Sequence, residues 1–416
     1  MTEAARVHIA FFNRCYYPDT TATGQLLTEL CEGLVHDHGC RVTVVAGFPM
    51  RSVSGTRPSR QHALVRRDLH NGVVLLRARG TQFLKTRFSG RAMNYMTYFF
   101  AACLAGLRLE RPDVVVALTD PPIIGLAALL VARRSGAPFV MAFQDIFPEV
   151  AEILKVSRSK MLNRILQHVT CFLVRNASVN VALGDTMRQR LVEGKGAATE
   201  RTIVIPNWAN CDAITPTAKR NAFSINAGLS ECFVVMHSGN IGLSQDLVVL
   251  IQAASRLRGI PDIQVVFVGD GVERASLEDQ VDKLGLPNVR FLPYQPKASL
   301  RDSFASADVF VISLKKGLAG YIVPSKLYGI LAAGRPYVAA VEETTEVAAV
   351  TRKYECGLLA SPGNAEDLAE KILTLYRDRA LAERLGANGR SAAAEYDRPI
   401  QVKAYYDLFQ GLVRAQ

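Results

Sequence analysis

The chain has 416 residues, too many for one hydrophobic core, so at least two domains are expected. A hydrophobic fraction of 49% against 21% charged excludes a disordered chain; the 8 scattered cysteines form no Cys-x-x-Cys pair and meet no His cluster, which argues against a zinc site or disulfide scaffold and fits a reducing cytoplasm. The net charge of +11 calls for an anionic partner, and nucleic acid is disfavoured because no basic tail exists and basic residues do not alternate with aromatics.

In chain order, apolar β-runs are expected at 7–12, 42–46, 73–77, 114–117, 139–143, 178–182 and 202–205, with amphipathic helices such as 24–36 and 123–134 between them. The start enters a strand without a charged leader, so no signal peptide is expected. The best apolar run, 95–107, is roughly half of a bilayer-spanning helix. Pro206-Asn207-Trp208 and the polar stretch after it break the rhythm. The second half restarts with strands at 233–237, 263–268, 289–292, 309–314, 337–341 and 357–359. This alternation reads as α/β, with two doubly wound Rossmann-like domains facing across a cleft: 1–205, then 206–395, with a C-terminal helix at 396–416 crossing back to the first. Ligands of such sheets bind at the carboxyl ends of the strands, so the loops after strands carry the chemistry.

After the first strand comes Asn13-Arg14-Cys15-Tyr16-Tyr17-Pro18, then Thr23-Gly24-Gln25 opening a helix. Thr23 can cap that helix; a phosphate or sugar contact and a plain cap are equally open, and the Gly-x-Gly-x-x-Gly spacing is missing. Gln144-Asp145-Ile146-Phe147-Pro148-Glu149 puts two carboxylates after a mid-sheet strand. Function is preferred for Asp145 over a capping role, and Glu149 is left open. In the second half, Ser238-Gly239-Asn240 and Gly269-Asp270-Gly271 are tight turns able to offer backbone amides. Near the end, Pro324-Ser325-Lys326 opens a helix closed by Gly334, with Ser325 as its cap and Lys326 in its first turn. A turn of this kind is suited to a diphosphate, although taken alone an ordinary strand–helix turn is the better explanation.

The order of these motifs, over nearly the whole chain, resembles the retaining glycosyltransferases of family four, which have the GT-B fold. Within that family it is most similar to bacterial fucosyl- and N-acetylfucosaminyltransferases of O-antigen and colanic acid assembly. The resemblance implies metal-independent, cofactor-free transfer from a nucleotide-sugar donor, a UDP-linked amino or deoxy sugar, with retention at the anomeric carbon. It places the donor on the second domain and the acceptor on the first. By position it implies that Pro324, Ser325 and Lys326 line the diphosphate, that Gly239 and Asn240 border the phosphates beside Gly269 and Asp270, and that Pro293 and Tyr294 hold the base. Glu346, or a neighbour in 342–346, would reach the donor sugar or ribose. Lys326 would stabilise the leaving group, and Asp145 would position the acceptor hydroxyl or steady the cationic sugar.

Three positions depart from the family pattern: Tyr321 and Gly329 stand where two glutamates are usual, Asn240 and Gln245 replace an Arg and a Lys, and Gln144-Asp145 replaces His-Asp. The acceptor implied is polyprenyl-diphosphate-linked or polysaccharide. The protein would then sit in the cytoplasm, peripherally on the inner face of the plasma membrane. Basic residues framing aromatics at 84–100, and Arg158, Lys160, Arg164 and Arg175 around an apolar helix face, fit contact with an anionic bilayer. The rival readings are a nucleotide-sugar 2-epimerase and a non-catalytic nucleotide-sugar-binding partner.

Overall fold

The computed structural model describes residues 6–19, 21–49, 63–81, 83 and 88–415. Its chain order is β1 (His8–Phe12), α1 (Ala22–His36), β2 (Arg41–Gly47), β3 (Val65–His70), β4 (Val73–Ala78), α2 (Phe88–Leu107), β5 (Val114–Ala117), α3 (Ile124–Ser135), β6 (Phe139–Ala142), α4 (Glu149–Ile153), α5 (Lys160–Asn176), β7 (Val179–Ala182), α6 (Asp185–Lys195) and β8 (Thr202–Val204). There follow α7 (Ala222–Asn226), β9 (Phe233–Ser238), α8 (Val248–Leu257), β10 (Ile263–Val268), α9 (Arg274–Leu284), β11 (Val289–Leu292), α10 (Leu300–Ala305) and β12 (Val309–Ser313). The chain ends with α11 (Lys326–Ala332), β13 (Tyr337–Ala340), α12 (Glu346–Tyr354), β14 (Gly357–Ala360), α13 (Ala365–Arg377), α14 (Arg379–Ala393) and α15 (Arg398–Arg414). It divides into two compact units, Met1–Pro206 with Arg398–Gln416, and Asn207–Asp397.

The first unit is built on an 8-stranded sheet in the order β3-β4-β2-β1-β5-β6-β7-β8. Its inner strands β1, β5 and β6 are short apolar runs buried from end to end, HIAFF in β1 and VVVA in β5, because helices cover both faces. β1 pairs in parallel with β2 on one side and β5 on the other, so the strand order reverses at β1. β3, which the apolar pattern does not announce, runs antiparallel to β4 at the sheet edge. Its sequence VRRDLH is polar, as suits an edge, and the hairpin turns through Asn71 (φ 47°) and Gly72 (φ 80°). α2 buries Tyr98, Ala102 and Ala105, and Gly106 lets it approach Val131, whose Cγ2 would stand 2.7 Å from an added Cβ. α15 lies against α1, with Phe409 edge-on to Phe11 at 6.1 Å.

The second unit carries a 6-stranded parallel sheet in the order β11-β10-β9-β12-β13-β14. This is the doubly wound order, with its reversal between β9 and β12. One apolar cluster joins β9, β10 and β12 to α8 and α13, with Val235, Leu250, Ile251, Phe267, Leu368 and Ile372 buried. Among the described residues no helix is long and apolar enough to cross a membrane.

Candidate active site

In the second unit, the reversal puts the ends of β9 and β12 side by side and opens a crevice at their carboxyl edge. The side chains meeting there are His237, near the end of β9, and Lys326, the first residue of α11. His237 is fully buried, and Lys326 Nζ lies 3.1 Å from its Nε2 and 3.4 Å from its Nδ1. The ring also meets the Asn240 and Val311 backbones, with Nε2 3.3 Å from Asn240 O. Burial pulls the Lys326 pKa down to about 7. Burial, and then the Lys326 charge, push that of His237 well below its ordinary value, so the imidazole is neutral beside the amine. No carboxylate among the described residues pairs with Lys326.

Gly239 and Asn240 border this pair. Gly239 (φ 121°) has a conformation that other residues rarely take, and a Cβ there would come 4.0 Å from Lys326 Cε. Gly269 and Asp270 sit one strand over, and their part in the geometry is to hold Gly239. The Gly239 amide donates to Val268 O at 2.9 Å, and a Cβ on Gly269 would lie 1.9 Å from Gly239 O. Asp270 is exposed, and its Oδ1 accepts from the Gly271 amide at 2.8 Å. Gly242 and Gln245 close the turn on itself, with Gly242 N donating to Gln245 Oε1 at 2.9 Å.

At the start of α11 the structure corrects one expectation. Ser325 makes no capping hydrogen bond, because its backbone is already helical (φ −64°, ψ −20°) and its hydroxyl is not turned back to the first-turn amides. The amides of Ser325 and Lys326 have no backbone acceptor among the described residues, and Pro324 O accepts from Leu327 N. Gly329 packs on Phe304, where a Cβ would come 2.9 Å from the ring, so the glutamate usual in the family has no room there. Glu342 is engaged by the loop before α11, accepting from Gly317 N at 2.8 Å. Glu346 opens α12 behind the Thr345 cap, and its charge acts on Tyr328 of α11. Pro293 and Tyr294 are exposed just beyond β11.

In the first unit, the ends of β1, β5 and β6 bring together Arg14, Cys15, Asp120 and Asp145. Arg14 Nη2 is 3.0 Å from Asp120 Oδ2, the Arg14 amide donates to Asp120 O at 2.8 Å, and Cys15 Sγ–H donates to Asp120 Oδ2 at 2.9 Å. Burial opposes the Arg14 charge, but the Asp120 carboxylate together with Cys15, Tyr95 and Tyr98 raises the guanidinium pKa. Asp145 is partly buried, and its carboxyl accepts no hydrogen bond from the described residues. Burial, and then the charge of Asp120, push its pKa up to about 7. It does not cap α4, whose N-cap is Pro148. Glu149 is structural: Lys195, 1% exposed, puts its Nζ 2.7 Å from both carboxylate oxygens.

Thr23 does not cap α1 as expected. The cap is Thr21, extended at φ −66° and ψ 144°, which accepts from Gly24 N, and Thr23 already lies inside the helix. Gly24 serves packing, since a Cβ would come 3.4 Å from that of Cys15, and Gln25 N closes on Thr21 O. His237, Asp120 and the Arg14–Asp120 pair escaped the sequence reading. Their common signal is position at a reversal of strand order, which no local pattern displays.

The family described as "Glycosyl transferase 4-like domain" matches residues 21–208, and that described as "Glycosyl transferases group 1" matches residues 220–392. The Escherichia coli protein WcaI, a glycosyl transferase named for colanic acid biosynthesis, is 29% identical over 277 residues, 65% of this chain and 67% of its own length. WbjE of Pseudomonas aeruginosa, named as a glycosyltransferase, is 27% identical over 292 residues, 68% of this chain and 70% of its own. Among solved structures, Anabaena Alr3699/HepE in complex with UDP-glucose superposes with a TM-score of 0.74 at 16% identity, over 98% of this chain and all of that one (100%). Sucrose-phosphate synthase from Thermosynechococcus elongatus does so with a TM-score of 0.78 at 18% identity, over 99% of this chain and 100% of that one. Two doubly wound units, matched in turn by a 4-like and a group 1 domain, make this chain an enzyme of the retaining family-four glycosyltransferases, with the GT-B fold.

Proposed function

We propose that this glycosyltransferase draws on a nucleoside-diphosphate sugar, a UDP-linked amino or deoxy sugar, held by the second unit. The acceptor is a polyprenyl-diphosphate-linked or polysaccharide chain held by the first. One observation carries the donor half: Lys326 stands at the strand-order reversal with no carboxylate partner among the described residues. Departure of the nucleotide builds negative charge on a phosphate oxygen, and a fixed cation in a sheltered crevice stabilises it. Lysine supplies a point charge rather than a bidentate fork, and the Ser325 and Lys326 amides add donors beside it. Gly239 and Asn240 border the phosphates, Pro293 and Tyr294 flank the base, and Glu346 reaches toward the sugar or ribose. Asp145 takes the acceptor side. HepE, of the same fold, has been captured with UDP-glucose, and WcaI is named for colanic acid biosynthesis; both agree with this reading.

A panel of nucleotide sugars in a thermal-shift assay tests it, because the donor should raise Tm by mass action. Lys326→Ala should lose that shift and slow turnover by roughly a hundredfold or more, with the melting point of the free protein close to wild type. Near wild-type turnover in that variant removes Lys326 from the mechanism.

A specific surface supports peripheral membrane contact at the cytoplasmic leaflet. α2 leaves Met93, Met96, Phe100, Leu104 and Leu107 exposed at helical spacing, and α5 leaves Met161 and Phe172 exposed between Arg158, Lys160, Arg164 and Arg175. Of the basic run before α2, residues 84–87 lie outside the described residues, as do the side chains of Phe88, Ser89 and Arg91.

A further inference from the structure

We propose that Lys326 and His237 form a coupled pair that takes up one proton when a nucleoside diphosphate docks at the carboxyl edge of the second sheet. The inference rests on the donor reading above and deepens it. Its ground is geometric: the amine nitrogen lies within 3.4 Å of both imidazole nitrogens, and the imidazole is fully buried between the Asn240 and Val311 backbones.

Two basic groups this close, one of them enclosed, cannot both hold a charge in the free protein. The surroundings offer no relief. β9 contributes only His237, and β10 and β12 carry no ionisable side chain. α11 adds Tyr328, and α12 adds Glu346, which acts on Tyr328. From α14, Arg390 donates to Ala332 O at the far end of α11. The neighbouring loops bring Lys315 and Lys316, which are positive, while Asp270 and Glu342 are bonded to the Gly271 and Gly317 amides. A diphosphate would be the missing counter-charge. As it docks, a neutral Lys326 amine takes a proton from solvent and becomes an ammonium facing the phosphates. His237 is the positioning residue: with Nε2 donating to Asn240 O at 3.3 Å, the lone pair left on Nδ1, 3.4 Å from the amine, is the acceptor it offers.

The sign follows from linkage. Below about pH 7 the amine is already charged and docking moves no proton, whereas above it each docking event must bring one, so affinity falls as pH rises. The experiment is calorimetric titration with UDP, and in parallel GDP, at about pH 8 in two buffers of different ionisation enthalpy, where the nucleotide's terminal phosphate is already fully ionised. Wild type should take up close to one proton per nucleotide, and its Kd should be about fivefold weaker at pH 8 than at pH 7. Lys326→Arg, whose charge is permanent, should bind with no proton uptake and a flat pH profile. His237→Phe should move the midpoint of the profile to lower pH, and His237→Gln, which keeps an acceptor, should restore it. Nucleotide binding without proton uptake in wild type overturns the pair while leaving the donor site intact. An unmoved midpoint in His237→Phe removes His237 from the pair. No binding of either nucleotide at either pH overturns the donor reading itself, and the pair with it.

Discussion

Asp145 shows how a strand end shapes a carboxyl group. It follows β6 beside Asp120, whose charge is tied to Arg14, and it accepts no hydrogen bond among the described residues. Its pKa is pushed up to about 7 by burial and by that neighbour. Between the ordinary carboxylate range and about pH 7, the folded protein therefore binds a proton that the unfolded chain does not. Stability from this group is present at low pH and is lost as pH rises through about 7. Asp145→Asn should therefore raise Tm most at about pH 8, less at about pH 5 and hardly at all at about pH 3, which a series of thermal melts would show. The same variant should slow transfer by roughly a hundredfold if the group handles the acceptor proton. Full activity would leave Asp145 without a chemical part. The raised pKa could not be read locally, because Asp145 follows β6 whereas Asp120, paired with Arg14 from the end of β1, follows β5.

At the scale of elements, two contacts hold the loops in place. Lys195 at the end of α6 reaches Glu149 at the start of α4, Phe147 O at 3.1 Å and Gln167 on α5. Lys195→Met should cost about 3 kcal/mol in urea unfolding, because it strands a carboxylate whose side chain is only 24% exposed. Lys195→Met with Glu149→Gln should recover most of that loss; a silent single variant would return Glu149 to the list of functional candidates. The second contact is the glycine seam between the turns after β9 and β10. Gly269→Ala combines a φ of 148° with a methyl 1.9 Å from Gly239 O, and should destabilise by about 2 kcal/mol or more. Gly285→Ala, with φ of 60° and nothing within 4 Å, should cost about 1 kcal/mol, so the difference isolates packing from strain. These elements also show what pattern conceals. β3 hid because an edge strand has no apolar face to advertise, although Asn71-Gly72 was a legible hairpin signal.

At the scale of the whole molecule, the excess of positive charge and the exposed stripe on α2 describe one surface property. Phe100, 59% exposed in the middle of that stripe, makes the test: Phe100→Asp should reduce pelleting with anionic liposomes at low salt several-fold, with Tm unchanged. Wild-type protein that ignores such liposomes would end the membrane reading. Hydrophobic rhythm is local, so the sequence by itself determined the strand–helix alternation, the doubly wound class and the loops worth watching, including those of Lys326 and Asp145. Motif order carried the family as well, since it survives where single motifs drift. Strand order is not local. Only the tertiary structure decided that β9 borders β12 and β1 borders β5, and so which loop residues meet: His237 under Lys326, Arg14 on Asp120, Gly269 against Gly239. The same packing separated Glu149, held by Lys195, from Asp145, left without a donor among the described residues, because pairing depends on what other elements bring to within a few ångströms.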